Sequence, residues 1–146
     1  MDLLTSLRIS ASGLAAQRKR QEAISSNIAN AQTTRTAEGG PYRKKEVIFG
    51  SEPARESFSE ILEGTMDEKA QTVHVTEVVN SDKPPILKYE PNHPEANKDG
   101  YVAYPDINVM QEMADMMEAN RAYEANISAL NTTKAMAMKT LEIGKN

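Results

Sequence analysis

The chain has no cysteine and no tryptophan, and only two of its 146 residues are phenylalanine. Without cysteine it can form neither disulfides nor thiolate metal sites. Aromatic residues make up 5% of the chain, so little bulky material is available to fill an enclosed interior. Eight methionines suit helix-packing surfaces, because the methionine side chain is flexible and polarizable. The composition therefore predicts helices that pack along their length rather than one large core.

Long apolar runs are also missing. No stretch approaches the roughly 20 apolar residues that a membrane-spanning helix requires. The N-terminal sequence has an acidic residue, Asp2, and no unbroken apolar run, so it lacks the pattern of a secretory signal peptide. We expect no membrane insertion and, if the protein leaves the cytoplasm, export without a cleaved signal.

Motifs for catalysis or cofactor binding are not found in the sequence. The two histidines, His74 and His93, have no His, Asp or Glu at the spacing of a metal-binding motif. The triplet Gly39-Gly40-Pro41 lacks the flanking strand, helix and lysine of a phosphate loop, and it predicts a turn. The sequence thus predicts no catalytic residue, no cofactor and no metal, and a protein that is not an enzyme.

Charge is distributed unevenly along the chain. Residues 1–45 carry eight basic and three acidic side chains, whereas residues 46–146 carry nine basic and eighteen acidic ones. Opposite patches on one molecule can steer head-to-tail assembly of identical subunits, but a solvated surface with an accidental asymmetry explains the distribution equally well. The net charge of −4 and the lone basic triplet Arg18-Lys19-Arg20, without interleaved aromatics, argue against nucleic-acid binding.

Two long amphipathic helices are predicted at the ends of the chain. Residues 3–31 carry a thin apolar stripe at helical spacing. Residues 106–143 contain neither glycine nor proline and show a heptad seam, after which Gly144 is expected to end the helix. The stripe consists of Leu3, Leu7, Ala11, Leu14, Ile24 and Ile28. The seam consists of Val109, Met113, Met116, Asn120, Tyr123, Ile127, Leu130, Lys134, Ala137 and Leu141.

Asparagines recur within both predicted helices, although asparagine is a mediocre helix former. They either fix the register between helices through buried amide hydrogen bonds or lie exposed on the solvent side. These asparagines are Asn27, Asn30, Asn120, Asn126 and Asn131. The complete set of residues predicted to form packing and assembly surfaces is Leu7, Leu14, Ile24, Asn27, Ile28, Asn30, Met113, Met116, Tyr123, Asn126, Ile127, Leu130, Asn131, Met138 and Leu141.

The sequence of the middle of the chain predicts short strands and turns. Residues 42–49, 72–79 and 86–89 are rich in β-branched and aromatic residues and predict three strands. Residues 56–62 predict a short helix. The proline-rich and asparagine-rich residues 91–105 predict a loop that leads into the second long helix.

The predicted fold is mainly α-helical with a small β part. Residues 1–32 and 106–146 are expected to be the two long helices of a terminal domain, packed together as an antiparallel coiled-coil arm. Residues 33–105 are expected to form a central β-containing body. Such a thin apolar stripe makes an isolated helix marginal in water, so each helix needs a partner along its length.

The terminal sequences resemble those of bacterial flagellar rod and hook proteins. The N-terminal runs are Leu7-Arg-Ile-Ser-Ala-Ser-Gly-Leu-Ala-Ala-Gln-Arg18 and Ile24-Ser-Ser-Asn-Ile-Ala-Asn-Ala31, and the C-terminal runs include Arg121-Ala-Tyr-Glu-Ala-Asn126 and Leu130-Asn-Thr-Thr-Lys134. Two internal signatures, Pro41-Tyr-Arg-Lys-Lys45 and Gly100-Tyr-Val-Ala-Tyr-Pro105, occur in a short chain. Together these features are similar to the proximal rod members of the flagellar basal-body rod protein family.

That resemblance implies a structural subunit without catalytic activity, located in the basal-body rod within the periplasm. It implies export through the flagellum's own type III apparatus and helical assembly into a drive shaft that transmits torque and encloses the export channel. The implied partners are further copies of the chain, other proteins of the proximal and distal rod, the MS-ring/rod adaptor and the export apparatus. A cytosolic coiled-coil adaptor or export chaperone is the alternative, although that function does not explain why the two internal signatures are present.

Overall fold

The computed structural model describes residues 3–53 and 70–144, which contain two long helices and four strands. The elements in chain order are α1 (Leu3–Ala29), β1 (Lys45–Pro53), β2 (Gln71–Asn80), β3 (Ile86–Tyr89), β4 (Tyr101–Tyr104) and α2 (Val109–Ile143). In these ranges β1 pairs with β2, and β3 pairs with β4, as two separate two-stranded sheets. The prediction of a mainly helical chain with a small β part is confirmed.

The end of α1 is fixed by local hydrogen bonds. The helix stops at Ala29, where the Asn30 side-chain amide donates to the Ser26 carbonyl over 2.9 Å and its oxygen accepts from the Thr33 hydroxyl over 3.2 Å. The Ser26 carbonyl also accepts from the backbone N–H of Asn30 over 3.1 Å, so the side chain adds a second bond to the last turn of the helix. Asn30 therefore acts as a C-terminal cap for α1.

The start of α2 is set by an N-cap at Asn108. The Asn108 side-chain oxygen accepts from the backbone N–H groups of Met110 (3.1 Å) and Gln111 (3.3 Å). Such a cap satisfies N–H groups that lack a partner within the helix. The helix consequently begins at Val109, three residues after the predicted start, and it ends at Ile143, immediately before Gly144.

All three predicted strands are present, and the bounds of two of them are shifted. β1 begins three residues later than predicted, because the Tyr42 N–H donates to the Thr33 carbonyl (3.0 Å) and so belongs to the loop after α1. It then continues to Pro53 through its pairing with β2. β2 and β3 match the predicted segments to within one residue. The short helix predicted at residues 56–62 lies outside the described residues.

The prediction of a continuous loop over residues 91–105 is wrong, because its end forms β4. β4 pairs with β3 in antiparallel register from Ile86 opposite Tyr104 to Tyr89 opposite Tyr101. The turn before β4 closes at Gly100, whose positive φ of 81° favours glycine. The turn residues thus end at Gly100, and the β-prone Tyr-Val-Ala-Tyr sequence that follows pairs as a strand.

The chain divides into two compact units, each built from segments that are distant in sequence. The unit that we call the Gly13 unit comprises residues 1–19, 49–76 and 119–146. The other, which we call the Asn27 unit, comprises residues 20–48 and 77–118. Each unit therefore contains part of α1, part of α2 and part of the middle of the chain.

The buried core of each unit is small and mixes apolar with polar residues. The buried residues of the Asn27 unit include Ala23, Ile24, Asn27, Val102 and Glu112. Those of the Gly13 unit include Ala16, Ala119 and Thr133. Small side chains let helices approach closely, and buried polar groups require partners. The packing of this chain therefore depends more on specific contacts between side chains than on a large buried apolar volume.

Candidate functional site

A polar junction lies buried in the Asn27 unit. We define it as the side chains of Asn27, Tyr42, Lys44 and Glu112 with the backbone of Lys45. Asn27 belongs to α1 and Glu112 to the first turn of α2. Tyr42 and Lys44 lie in the segment before β1, and Lys45 is the first residue of β1. Asn27 and Glu112 are each only 1% exposed. Helix 1, helix 2 and the central segment are thus connected at one point of this unit.

The Asn27 side chain makes four hydrogen bonds within the junction. Its amide nitrogen donates to the Lys45 carbonyl (2.9 Å) and to Glu112 Oε2 (3.0 Å). Its oxygen accepts from the Lys45 N–H (2.8 Å) and from the Tyr42 hydroxyl (3.1 Å). Both donors and both lone pairs are therefore in use, and no part of the buried amide incurs the cost of an unmade hydrogen bond.

The Glu112 carboxylate is paired on both oxygens. Oε2 accepts from Asn27, and Oε1 accepts from the Lys44 ammonium group over 2.7 Å. The hydrogen bond from Lys44 to Glu112 raises the pKa of Lys44, against the opposing effect of partial burial. Removing either partner of a buried charge pair is strongly destabilising, because the remaining charge is left uncompensated. Each member of the junction thus depends on the others.

Two glycines of the Gly13 unit lie close to side chains of a neighbouring element. A Cβ atom added at Gly13 would lie 3.0 Å from Asn126 Nδ2, so α1 and α2 meet here at a distance that only glycine permits without adjustment. A Cβ atom added at Gly50 of β1 would lie 2.5 Å from the hydroxyl oxygen of Thr76 on β2. We call these the two glycine contacts. Both depend on the absence of a side chain.

The inward face of α2 follows a heptad pattern that only partly matches the predicted seam. Its least exposed residues recur in steps of four and three at positions 112, 116, 119, 123, 126, 130, 133 and 137. Positions 116, 123, 130 and 137 also belong to the predicted seam. At the other heptad position the structure places Glu112, Ala119, Asn126 and Thr133, each one residue before the predicted member.

The larger apolar residues at that neighbouring position, Met113, Ile127 and Leu141, are exposed instead, as are others beside them. In the Asn27 unit, Met110, Met113 and Met117 are 76%, 50% and 57% exposed, and their spacing of three and four places them on one side of α2. We call them the methionine face. In the Gly13 unit the exposed apolar residues of α2 are Ile127, Met136, Met138, Leu141 and Ile143. Neighbouring apolar side chains exposed on one side of a helix make the methionine face a candidate protein-interaction surface.

The remaining residues of the predicted packing surface occupy three environments. In α1, Ile24 is buried, and Leu7, Leu14 and Ile28 are partly buried. In α2, Met116, Tyr123, Asn126 and Leu130 are partly buried. Asn131, Met138 and Leu141 are exposed, as is Asn120 from the wider set of asparagines.

Sequence reasoning missed three functional side chains, those of Tyr42, Lys44 and Glu112. Two signals were available: the internal signature from Pro41 to Lys45, which contains Tyr42 and Lys44, and an acidic residue at a heptad position of α2, because a charge on an inward helix face needs a partner. That partner could not be identified from spacing, since Asn27 and Glu112 are 85 positions apart in the chain.

The described residues contain no group of three or more His, Cys, Asp or Glu side chains arranged to hold a metal ion. Neither α1 nor α2, over the ranges given above, is long and apolar enough to cross a membrane. The site that the described structure presents is therefore made of packing contacts: a buried junction, two glycine contacts and exposed apolar helix surface.

Comparison with known proteins gives flagellar basal-body rod families at both ends of the chain and relatives that align over nearly all of it. Residues 7–35 match the family described as flagella basal body rod protein, and residues 98–143 match the flagellar basal body rod FlgEFG protein C-terminal family. Three similar proteins, each named flagellar basal-body rod protein FlgC, come from Bacillus subtilis, Salmonella typhimurium and Borreliella burgdorferi. The Bacillus subtilis protein is 43% identical, and the alignment covers 99% of this chain and 100% of that protein. The Salmonella typhimurium protein is 40% identical, with 99% and 100% covered, and the Borreliella burgdorferi protein is 39% identical, with 98% of each covered. The chain therefore belongs to the flagellar basal-body rod protein family.

Proposed function

We propose that the chain assembles helically, with copies of itself and with other proteins of the proximal and distal rod, into the torque-transmitting drive shaft and export channel of the flagellum. Its role as a structural subunit of the proximal rod follows from its family and its full-length relatives. The observation that carries the proposed assembly is the methionine face, which a single copy leaves exposed.

We further propose that α1 and α2 pair as an antiparallel coiled-coil arm. In the Asn27 unit, Asn27 bonds Glu112 (3.0 Å) and Arg20 pairs with Glu118 (3.4 Å). The residue earlier in α1 therefore contacts the residue later in α2. This order is the one that antiparallel helices require. The alternating steps of four and three on the inward face of α2 support the same geometry.

The proposed domain organisation follows from this arm. Residues 1–32 and 106–146 would constitute the terminal coiled-coil domain, and residues 33–105 the central body. In the Gly13 unit, the approach of Gly13 to Asn126 supports the pairing of the two helices within the terminal domain. The residues predicted for packing and assembly would then divide between the inward faces of the two helices and their contacts with neighbouring subunits.

The exposed apolar surface supplies a driving force for this assembly. Burying a methionine side chain that is otherwise exposed contributes about 1.5–3 kcal/mol. The three residues of the methionine face are at least half exposed, so a neighbouring subunit that covers them gains several such contributions. Contacts in which one surface meets a different surface of the next copy build open helical arrays. A rod is such an array.

We also propose the cellular setting that the family implies. The chain would be exported without a cleaved signal peptide by the flagellar type III apparatus, and it would reside in the periplasmic part of the basal body. Its further partners there would be the MS-ring/rod adaptor and the other rod proteins. Membership of the basal-body rod family supports this setting.

Replacing both Met113 and Met117 by glutamine tests the assembly role. Both side chains are exposed, so the far-UV circular dichroism of the purified variant should match that of the original chain. In cells that lack the original gene, we expect the variant to be depleted from purified basal bodies by about tenfold or more, as measured by immunoblotting. The matched control is Glu124→Gln, a polar change at an exposed position of α2, which should incorporate normally.

The opposite outcome favours the alternative function. If the double variant enters basal bodies as well as the original chain does, the methionine face is not an assembly surface. If the original chain itself is absent from basal bodies and is recovered as a soluble complex in the cytoplasm, the cytosolic adaptor replaces the rod subunit as the better account.

A further inference from the structure

We propose that the methionine face is a site of reversible oxidation, where conversion of the thioethers to sulfoxides prevents the chain from joining the rod. Met110, Met113 and Met117 are 76%, 50% and 57% exposed, so a dissolved oxidant has access to these side chains before assembly. The inference deepens the proposed function and rests on it, because it places a modification on the surface that a neighbouring subunit would cover.

The position of each methionine on α2 determines its access to solvent. Met110, Met113 and Met117 follow one another at spacings of three and four, so they lie on the same side of the helix over about two turns. Met116 is the immediate neighbour of Met117 in sequence, but it belongs to the inward face and is partly buried. We therefore expect oxidation of the methionine face to be faster than oxidation of Met116.

The oxidant is hydrogen peroxide. The thioether sulfur attacks one oxygen of the peroxide, the O–O bond breaks and an S–O bond forms, and the second oxygen leaves as water after the protons have been transferred to it. Methionine and hydrogen peroxide thus give methionine sulfoxide and water, with the sulfur oxidised by two electrons and the peroxide reduced by two. Methionine sulfoxide reductases reverse the change, so the modification can be removed from a chain that has not yet assembled.

Oxidation replaces an apolar surface by a polar one. A thioether sulfur is a weak hydrogen-bond acceptor, whereas methionine sulfoxide is a polar side chain. A neighbouring subunit that covers the methionine face would bury each sulfoxide oxygen, and a buried acceptor without a donor disfavours the contact. A subunit already in the rod has these sulfur atoms covered. The modification therefore acts on copies that are still waiting to assemble.

The variant Met110→Leu/Met113→Leu/Met117→Leu, compared with the original chain, tests this inference. Leucine keeps the face apolar at a similar volume but has no sulfur to oxidise. Each protein is the only version of the chain in cells that lack the sulfoxide reductases, and hydrogen peroxide is added while flagella assemble. Immunoblotting then measures the chain relative to a ring protein of the same purified basal bodies. We expect peroxide to lower the original chain by about tenfold and the leucine variant by less than about twofold.

The matched control is Met136→Leu/Met138→Leu. It removes two methionines of α2 that are each 56% exposed but lie outside the methionine face, so it should remain as sensitive to peroxide as the original chain. Restoring the reductases should restore incorporation of the original chain. Peptide mass spectrometry of the purified chain should detect sulfoxide on the methionine face earlier than at Met116.

Three results would overturn the inference: equal loss of the original chain and the leucine variant, no loss of the original chain, or oxidation of Met116 ahead of the methionine face. The proposed function fails on different results, both obtained without peroxide. These are normal incorporation of Met113→Gln/Met117→Gln, or absence of the original chain from basal bodies. The untreated samples therefore separate the two failures.

Discussion

The Asn27 unit and the Gly13 unit are stabilised in different ways. The first contains a buried junction in which the Asn27 amide bonds the Glu112 carboxylate, the Tyr42 hydroxyl and the Lys45 backbone, and Lys44 pairs with Glu112, over distances of 2.7–3.1 Å. The second contains two glycine contacts, where the fit depends on the space that a missing side chain leaves. Directional hydrogen bonds specify one register, because any other register leaves buried polar groups without partners. A close contact at a glycine excludes larger side chains at that position but tolerates small shifts of the neighbouring residue.

This difference indicates how a chain with a small core fixes a single pairing of its two helices. Several buried residues of the two helices are small, among them Ala16, Ala23, Ala119 and Thr133, so their size alone discriminates weakly between neighbouring registers. A slip of one heptad would separate Asn27 from Glu112 and leave a buried carboxylate without its amide partner. That penalty makes the junction the element that selects the register, while the glycine contacts let the backbones approach.

Replacing Asn27 by leucine should have the largest effect on stability. The substitution removes a partner from Glu112, Tyr42 and the Lys45 backbone, which remain buried or partly buried. We expect the free energy of unfolding to fall by about 3 kcal/mol or more, because each buried group left without its hydrogen bond costs about 1–3 kcal/mol and the Glu112 carboxylate costs more. Urea unfolding followed by circular dichroism measures it.

The matched control for that substitution is Asn131→Leu, which changes an exposed asparagine of α2. It should alter the free energy of unfolding by less than about 0.5 kcal/mol. Equal losses at both positions would remove the distinction between the junction and the rest of the helix surface.

Replacing Gly50 by alanine should have the next largest effect. The new methyl group would lie 2.5 Å from the Thr76 hydroxyl oxygen and 3.0 Å from the His74 ring, so β1 and β2 must separate locally. We expect a loss of about 1–3 kcal/mol, as for other overpacked sites, measured by thermal unfolding. Adding Thr76→Ala should recover a large part of it. If the double variant is as unstable as Gly50→Ala alone, the contact with Thr76 is not the cause.

Replacing Gly13 by alanine should change stability least among the packing variants. Alanine favours the helical state over glycine by up to about 1 kcal/mol, but its Cβ would lie 3.0 Å from Asn126. We expect these effects to offset each other in the original chain. In an Asn126→Ala background the same change should stabilise α1 by about 1 kcal/mol. A stabilisation of equal size in both backgrounds would show that Asn126 does not restrict the site.

The junction should also make stability sensitive to high pH. The hydrogen bond to Glu112 raises the pKa of Lys44 above its ordinary value of 10.5. A lysine whose pKa is raised on folding contributes stability that is fully present below 10.5 and is lost as the pH rises through the folded-state pKa. The unfolding midpoint of the original chain should therefore fall more steeply above this pH than that of Lys44→Met. Lys98→Met, at an exposed turn, should leave the steep fall unchanged; parallel curves for all three proteins would contradict the assignment.

The sequence was sufficient to predict the two helices and three of the strands. Residues 106–143 have no glycine or proline and a strong heptad pattern, so a long helix is the expected local outcome. β4 was missed because its four residues follow a run of turn residues, and their strand conformation depends on pairing with β3. Local propensity cannot supply such a partner.

The junction could not be predicted for a similar reason. A seam chosen by hydrophobicity includes Met113 and Ile127, whereas the inward face of α2 carries Glu112 and Asn126, one residue earlier. Glu112 is buried because Asn27 and Lys44 satisfy it, and those partners come from distant parts of the chain. The larger apolar residues remain on the surface, where the proposed assembly would cover them.

Cryo-electron microscopy of purified basal bodies, at a resolution that shows side chains, tests the account most directly. We predict that every copy of this chain in the proximal rod retains the contact between Asn27 and Glu112, while Met110, Met113 and Met117 are covered by a neighbouring subunit. A rod in which these three methionines face solvent, or in which α1 and α2 pair in a register that separates Asn27 from Glu112, would contradict it.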